Sequence, residues 1–280
     1  PARVSVIVSL YRAAHKLRHF LQTLSNQTLF RSNQAEIIFV ETGSPSGDYE
    51  VFREEIQVAG LSTASVYART EERETIQNAW NRGIKLSSAP YLAFLGVDEG
   101  LLPDALEALS RELDRDPELD WIMSSSLITE VDSRGSWKSD IMPYDREGYK
   151  QHLVYLETCY LSWVGGLYRK SIHDRFGYYD ASFGAAGDTE FKCRILPYLK
   201  SRVIPKTLGI FWNYPDDRAT ESPRAEIEDL RAWYLYRTEA GAAHALQKYS
   251  LSEIETILLD CFSYRKSYCR HLSSDIEYAL

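Results

Sequence analysis

Four short apolar runs, each followed by an amphipathic segment, fill the first 115 residues and restrict the chain to one kind of architecture. "RVSVIVSLY" (3–11) is nearly continuous in Val and Ile, and "AHKLRHFLQTLSNQTL" behind it carries apolar residues at 17, 20, 21 and 24 with helical period. The pattern returns as "AEIIFVETGS" (35–44) before "DYEVFREEIQVAG", as "STASVYAR" before "ETIQNAWNRGIKLS", and as "APYLAFLG" before "LPDALEALSRELDRDP". Asp48 reads as the cap and Gly60 as the stop of the second helix, and Pro103 falls in the first turn of the fourth. Strands apolar on both faces that alternate with helices predict an α/β fold with a parallel sheet covered on both sides. Ligands of such sheets gather beyond the carboxyl ends of the strands. Ser9, Tyr11, Glu41 and Asp98 fall at such ends.

The alternation lapses after "DWIMSSSLITEVD". Residues 131–160, rich in Gly, Ser, Asp and Tyr, read as loop and irregular structure, and a long loop inside a compact domain is more often functional than idle. A short strand through Gly165 and Gly166, a helix near 169–176 and a helix opening at Asp188 follow. From about Thr220 the chain turns helical and aromatic, as an appended helical hairpin.

At 280 residues and 44% apolar composition the chain can bury a full core. No run approaches the roughly 18 apolar residues of a membrane-spanning helix, and the opening "PARVSVIVSLYR" lacks the layout of a signal peptide, so the expected address is the cytoplasm. Cys159, Cys193, Cys261 and Cys269 are far apart without CxxC spacing, which reads as buried free thiols. A net charge of −8 without a Lys/Arg cluster argues against nucleic-acid binding.

Three places carry chemistry. In "GVDEG" a buried strand stops on two acids, Asp98 and Glu99, which either hold a cation or cap the next helix. "RTEERETIQNAWNRG" brings Arg69 and Arg73 ahead of a helix that bears Asn78 and Asn81; the arginines either meet an anionic ligand or pair with Glu71, Glu72 or Glu74. "GAAGDTEFKCR" places Asp188 at a helix start, as a base or a cap, with Glu190 four residues before Arg194.

Together, "VSVIVSLYRAAHKLRHFLQTLSNQTL", "IIFVETGS", "AWNRGIKLSSAPYLAFLGVDEGLLPDAL" and "RKSIHDRFGYYDASFGAAGDTEFKCRI" resemble, in order and spacing over about residues 3–195, the family 2 glycosyltransferases of GT-A fold. The resemblance implies a GT-A domain over about 1–220, with a nucleotide-binding half to about 130 and an acceptor half beyond it, and a helical C-terminal extension over 221–280. It implies Mg²⁺ or Mn²⁺ on Asp98, with Glu99 as helper or bystander, although Gly96 replaces the first acid of the family's DxD motif. Glu41 stands where an Asp usually receives the uracil imide, and Ser9 and Tyr11 line the base pocket. Arg73 faces the nucleotide and Asn81 closes the wall of the site, with Trp80 in place of the family's Arg. Asp188 becomes the base of an inverting transfer. Trp163, beside Gly165 and Gly166, stacks on a sugar or belongs to the core. Tyr214 occupies the place of a histidine found in many relatives, and Asp216 and Asp217 offer oxygens nearby.

The implied activity is inverting transfer of a hexosyl or N-acetylhexosaminyl group from a nucleotide-sugar, UDP-linked by the Glu41 argument, to a hydroxyl acceptor in glycan or polysaccharide assembly. The tail's "WYLYR" and "YRKSYCRHL" leave three readings open: a homodimer interface, an acceptor shelter, or a rest on the inner face of the membrane. A glycosyltransferase-like module that binds nucleotide-sugar without turnover is the alternative. A nucleotidyltransferase lacks support, because "SLYRAAHKL" has no glycine-rich triphosphate loop.

Overall fold

In the computed structural model the described residues are 1–131, 137–143, 165–195, 198–214, 223–236 and 250–252. Strands β1 (Val4–Leu10), β2 (Ala35–Thr42), β3 (Ser65–Thr70) and β4 (Tyr91–Leu95) are parallel and stand in the order β3-β2-β1-β4. Helices α1 (Ala14–Ser25), α2 (Thr28–Arg31), α3 (Asp48–Val58), α4 (Ile76–Leu86) and α5 (Ala105–Arg115) connect or follow them. Both faces of β1 are covered: Val4, Val6 and Val8 join one apolar cluster with α1, α3 and α5, while Ile7 joins a second with Ile84, Leu92, Tyr168 and Phe191. The four apolar residues predicted for the first helix, Leu17, Phe20, Leu21 and Leu24, are its buried residues, each contributing about 1.5–3 kcal/mol.

Asp48 is a correction. It begins α3, but Gly47 holds the cap position and no side chain caps that helix. The Asp48 carboxylate instead crosses to α1, where Oδ1 accepts from the Ala13 and Ala14 N–H groups at 3.0 and 2.8 Å and from Ser46 Oγ at 2.6 Å. An N-terminus without its own capping side chain is thus satisfied by an acid 34 residues away from Ala14.

Beyond β4 the sheet continues through β8 (Gly166–Arg169), β6 (Trp121–Val131), β9 (Ser201–Asn213) and β5 (Glu99–Leu101), with β7 (Trp137–Pro143) paired to β6. β8 runs antiparallel to both β4 and β6, while β6 and β9 run parallel. Arg169 pins this junction by donating to the carbonyls of Leu119, Leu113 and Asp116. The stretch read as irregular contains β7, and β5 and β9 were not foreseen. β5 has three residues, too few to show a period. β9 is interrupted by Pro205, and its register jumps from Met123↔Val203 to Ser125↔Thr207, which leaves residues 204–206 outside the ladder.

Helices α6 (Ile172–Phe176), α7 (Gly187–Ile195) and α8 (Pro223–Tyr236) lie after this half of the sheet in sequence or between its strands. α8 covers the start of the predicted helical hairpin, most of which lies outside the described residues. Cys193 is buried, and the other three cysteines lie outside the described residues. Among the described residues no helix is long and apolar enough to cross a membrane.

Candidate active site

The turn after β4 is held from two sides. Glu99 N–H donates to the Gly96 carbonyl at 3.0 Å, and Trp212 N–H of β9 donates to the Asp98 carbonyl at 2.8 Å. Gly96 N–H in turn donates to Glu99 Oε2 at 2.6 Å. An ideal Cβ on Gly96 would fall 2.6 Å from Asp98 Oδ1, so the Asp98 carboxylate lies over the glycine. Asp98 does not cap α5, which begins at Ala105.

Burial pushes the Glu99 carboxyl up to about 8; the neighbouring Asp98 charge raises it further, the Gly96 N–H opposes, Asp188 adds to the rise and Lys192 counters it. Two adjacent hard-oxygen acids whose negative charge is poorly compensated fit Mg²⁺ or Mn²⁺ chemically. Among the described residues no three His, Cys, Asp or Glu side chains gather tightly enough to hold a metal, so Asp98 and Glu99 need phosphate oxygens or water to complete a shell.

Asp188 stands in the first turn of α7, about one third exposed, with Lys192 Nζ 3.4 Å from its Oδ2. The Lys192 side chain is itself only 7% exposed, and its charge, like that of Asp188, reaches Glu99. The acids at 98, 99 and 188 therefore form one electrostatic cluster. Gly187 allows Gln77 of α4 to press against the start of α7, where any Cβ would collide with the Gln77 amide. Gln77 Oε1 and Trp80 Nε1, three residues apart on α4, are both buried without a hydrogen bond. The Asn81 amide is committed to the backbone: Nδ2 donates to the Tyr179 carbonyl at 2.9 Å and Oδ1 accepts from Tyr179 N–H at 3.0 Å. Asn81 thus fastens α4 to the chain leading into Asp188. Glu190 pairs with Arg194 through both of its oxygens, at 2.7 and 3.1 Å, as the spacing predicted.

On the other flank Glu41 is 1% exposed. Its Oε2 accepts from Tyr67 Oη at 2.5 Å, and Arg69 Nε lies 3.0 Å from Oε1 as an ion pair, although Oε1 receives no hydrogen bond. The Arg73 guanidinium sits 4.0 Å above the Tyr11 ring, and Glu74 is taken by Arg82. The left-handed Gly43 (φ +53°) lets the turn after β2 approach this loop, since a Cβ there would stand 2.6 Å from Arg73 N. Arg12 N–H donates to Ser44 Oγ at 2.9 Å, joining the same turn to the end of β1. Ser9, partly exposed, lies in β1 opposite Val40 of β2.

Gly166 opens β8, and Gly165 stands just before it, its carbonyl accepting from Ser124 N–H. The neighbours that crowd Gly165 (φ +96°) are Ser124 and Gly209, and Gly166 pairs with Met123. Trp163, Asp216 and Asp217 lie outside the described residues. Tyr214 is beside the acidic turn: burial and the Asp98 charge both raise its phenol, and His19 Nδ1 is 3.3 Å from its hydroxyl. His19 also meets the Trp212 ring at 4.3 Å between centroids. Sequence reading missed Lys192 as the partner of Asp188, Gln77 as the neighbour of Gly187, and His19 as the neighbour of Tyr214 and Trp212. Only Lys192 left a signal, its i+4 spacing from Asp188.

Known proteins resemble this chain in sequence and in fold. The profile of the family described as Glycosyl transferase family 2 matches residues 5–177. A protein of Bacillus subtilis (strain 168) named "Uncharacterized glycosyltransferase YwdF" is 22% identical over 258 residues, 91% of this chain and 87% of that protein. The crystal structure of S. aureus TarS 1-349 in complex with UDP-GlcNAc superposes with a TM-score of 0.71 at 15% identity, over 98% of this chain and 77% of that one. The mannosyltransferase PcManGT from Pyrobaculum calidifontis, in complex with GDP-Man and Mn²⁺, gives 0.55 at 14% identity, over 95% and 81%. At such identities the two structures speak for the fold, which is GT-A. With the profile matched across more than half its length, the chain belongs to glycosyl transferase family 2.

Proposed function

We propose that the chain is an inverting glycosyltransferase that moves a hexosyl or N-acetylhexosaminyl group from a UDP-sugar to a hydroxyl of a glycan or polysaccharide acceptor. The carrying observation is the charge cluster: Glu99, which opens β5 after the turn that follows β4, feels both Asp98 beside it and Asp188 from α7. A donor placed between them has its diphosphate toward 98 and 99 and its sugar toward 188.

In a single displacement the acceptor oxygen forms a bond to the anomeric carbon while the bond from that carbon to the diphosphate oxygen breaks. The acceptor proton passes to the Asp188 carboxylate, and the electron pair leaves with the nucleoside diphosphate. Attack from the side opposite the leaving group inverts the anomeric centre. Lys192 keeps a positive charge beside Asp188. Asp98, with Glu99, is the place for a divalent cation, which when bound neutralises charge on the leaving diphosphate.

On the nucleotide side, Tyr11 and Arg73 present a ring backed by a cation, and the Glu41 carboxylate lies buried behind Tyr67 and Arg69, so an imide N–H reaches it only by displacing Arg69. TarS, of the same fold, has been solved with UDP-GlcNAc and with UDP, which supports a uridine donor here. The proposal includes a catalytic domain over about 1–220 with a helical extension that serves self-association or the acceptor, and work in the cytoplasm.

Gly96 in place of an acid favours one other reading, a module that binds nucleotide-sugar without turnover. Thermal shift with UDP, GDP and dTDP, with and without Mn²⁺, followed by donor hydrolysis and transfer for the wild type and Asp188→Asn, separates them. The enzyme reading expects stabilisation by UDP and a loss of turnover of about 10²- to 10⁴-fold in Asp188→Asn at unchanged UDP binding. Binding without turnover across a panel of UDP-sugars establishes the module instead.

A further inference from the structure

The segment that leads into Asp188 is held by a carboxylate from far along the chain. Gly184, Ala185 and Ala186 turn three successive backbone N–H groups toward one acid, Glu228 of α8: Oε2 accepts at 2.9, 2.6 and 3.0 Å, and Oε1 also lies 2.9 Å from Gly184 N. A run of amides of this kind is an anion cradle, and here the anion is built into the protein. Glu228 is 6% exposed, and Arg224 Nε completes its shell at 2.6 Å from Oε1.

The contact is not isolated. Arg224, Glu228 and Arg231, at i, i+4 and i+7, share one face of α8. The Arg231 guanidinium stacks 4.3 Å from the Phe183 ring and donates to Ser182 Oγ at 3.2 Å, while a Cβ on Gly184 would fall 2.5 Å from Arg224 Cζ. Ala225 and Ala232, both buried, let the helix backbone come close. Two turns on, Tyr236 Oη donates to Glu190 Oε1 at 2.6 Å, and Glu190 is gripped by Arg194, which also donates to the Phe176 and Tyr178 carbonyls. α8 therefore fixes the approach to Asp188 and the turn that follows it.

We infer that Glu228 is a positioning residue for catalysis: by occupying the amide cradle of residues 184–186 it sets the place of the Asp188 carboxylate, which makes the first helix of the C-terminal extension a working part of the active site. This rests on the reading of Asp188 as the base. The donor side of the site, at Tyr11, Glu41 and Asp98, receives none of these contacts from α8. Loss of Glu228 thus acts on turnover and leaves nucleotide binding alone.

The test uses the full chain with Glu228→Gln, which keeps the size but removes the charge and turns an amide donor toward three donors. The UDP-sugar that gives turnover is the substrate, UDP is the binding probe, and hydrogen exchange is read at the amides of residues 184–186. The expected result is faster exchange at those amides, kcat lower by about ten-fold or more, and donor KM and UDP affinity within about two-fold. Rescue is read in Glu228→Asp, which keeps the charge and recovers part of kcat; it also replaces the Gln variant should that fail to fold.

Unchanged exchange overturns the cradle. Faster exchange with unchanged kcat, or kcat and UDP affinity lost together, overturns the positioning role. Asp188→Asn keeps the two readings apart: turnover that survives it refutes the base assignment whatever the Glu228 variants do. An inactive Asp188→Asn beside a fully active Glu228→Gln refutes the positioning role alone.

Discussion

The carboxylate of Asp98 fills the space that a side chain on Gly96 would enter, with Oδ1 2.6 Å from an ideal Cβ at that glycine. The missing first acid of the motif is therefore not an empty position. Asp98 and Glu99 have folded back over the glycine, and Glu99 is tied to its N–H.

Restoring the family's acid should harm the site. Gly96→Asp must displace the Asp98 carboxylate, so Mn²⁺ titrated in the presence of UDP is expected to bind more weakly, and turnover to fall by about ten-fold. Tighter Mn²⁺ binding with faster turnover would show that the glycine is a simple loss.

Glu99 gives the site a pH signature. Its carboxyl stands at about 8 in the fold against an ordinary 4.5. For a raised carboxyl the stabilising contribution is complete below about 4.5 and is lost as pH rises through about 8, because the folded state holds the proton longer than the unfolded chain. Between those values a divalent cation must displace that proton. Calorimetry of Mn²⁺ and UDP binding at pH 6.5, in buffers of different ionisation enthalpy, should show proton release that vanishes in Glu99→Gln. Equal heats in all buffers would contradict it.

The carboxylate from α3 that completes the start of α1 should be a strong stabilising point. Asp48→Ala strips acceptors from two helix N–H groups, and a loss of about 2 kcal/mol is expected in denaturant unfolding. Asp48→Asn, which keeps one acceptor oxygen, should lose less. Equal stability of all three proteins would mean that water replaces the carboxylate freely.

Tyr11 and Arg73 should act as one unit toward the nucleotide. Each alanine substitution is expected to weaken UDP binding by about three- to ten-fold, and the double variant by less than the product, since the ring and the guanidinium rest on each other. Independent losses that multiply in full would place them in separate contacts.

Much of this was readable from local pattern. Val4 to Leu10 is apolar on both faces because both faces are covered, and the period of α1 names its buried side. Asp98 and Asp188 could each be read as a helix cap from local pattern, and only their place in motifs that resemble the family's singled them out. What escaped depends on distant partners. Asp48 looks like a cap for its own helix and serves another, and Glu228 looks like a surface acid in a charged helix. β9 hid behind Pro205 and a skipped register, which breaks the period on which strand reading depends. Asn81, which the resemblance places in the wall of the site, has its amide engaged by the Tyr179 backbone, a partner 98 residues away that no local pattern announces.

The strands from β3 to β5 are neighbours in one sheet that passes through the β4–β8 junction, and Arg169 rivets that junction to the carbonyls of the neighbouring segment. A hinge at the β4–β8 seam would have to part these strands, forfeiting backbone hydrogen bonds worth about 1 kcal/mol each. Rigid-body opening along that seam is therefore opposed by the sheet itself.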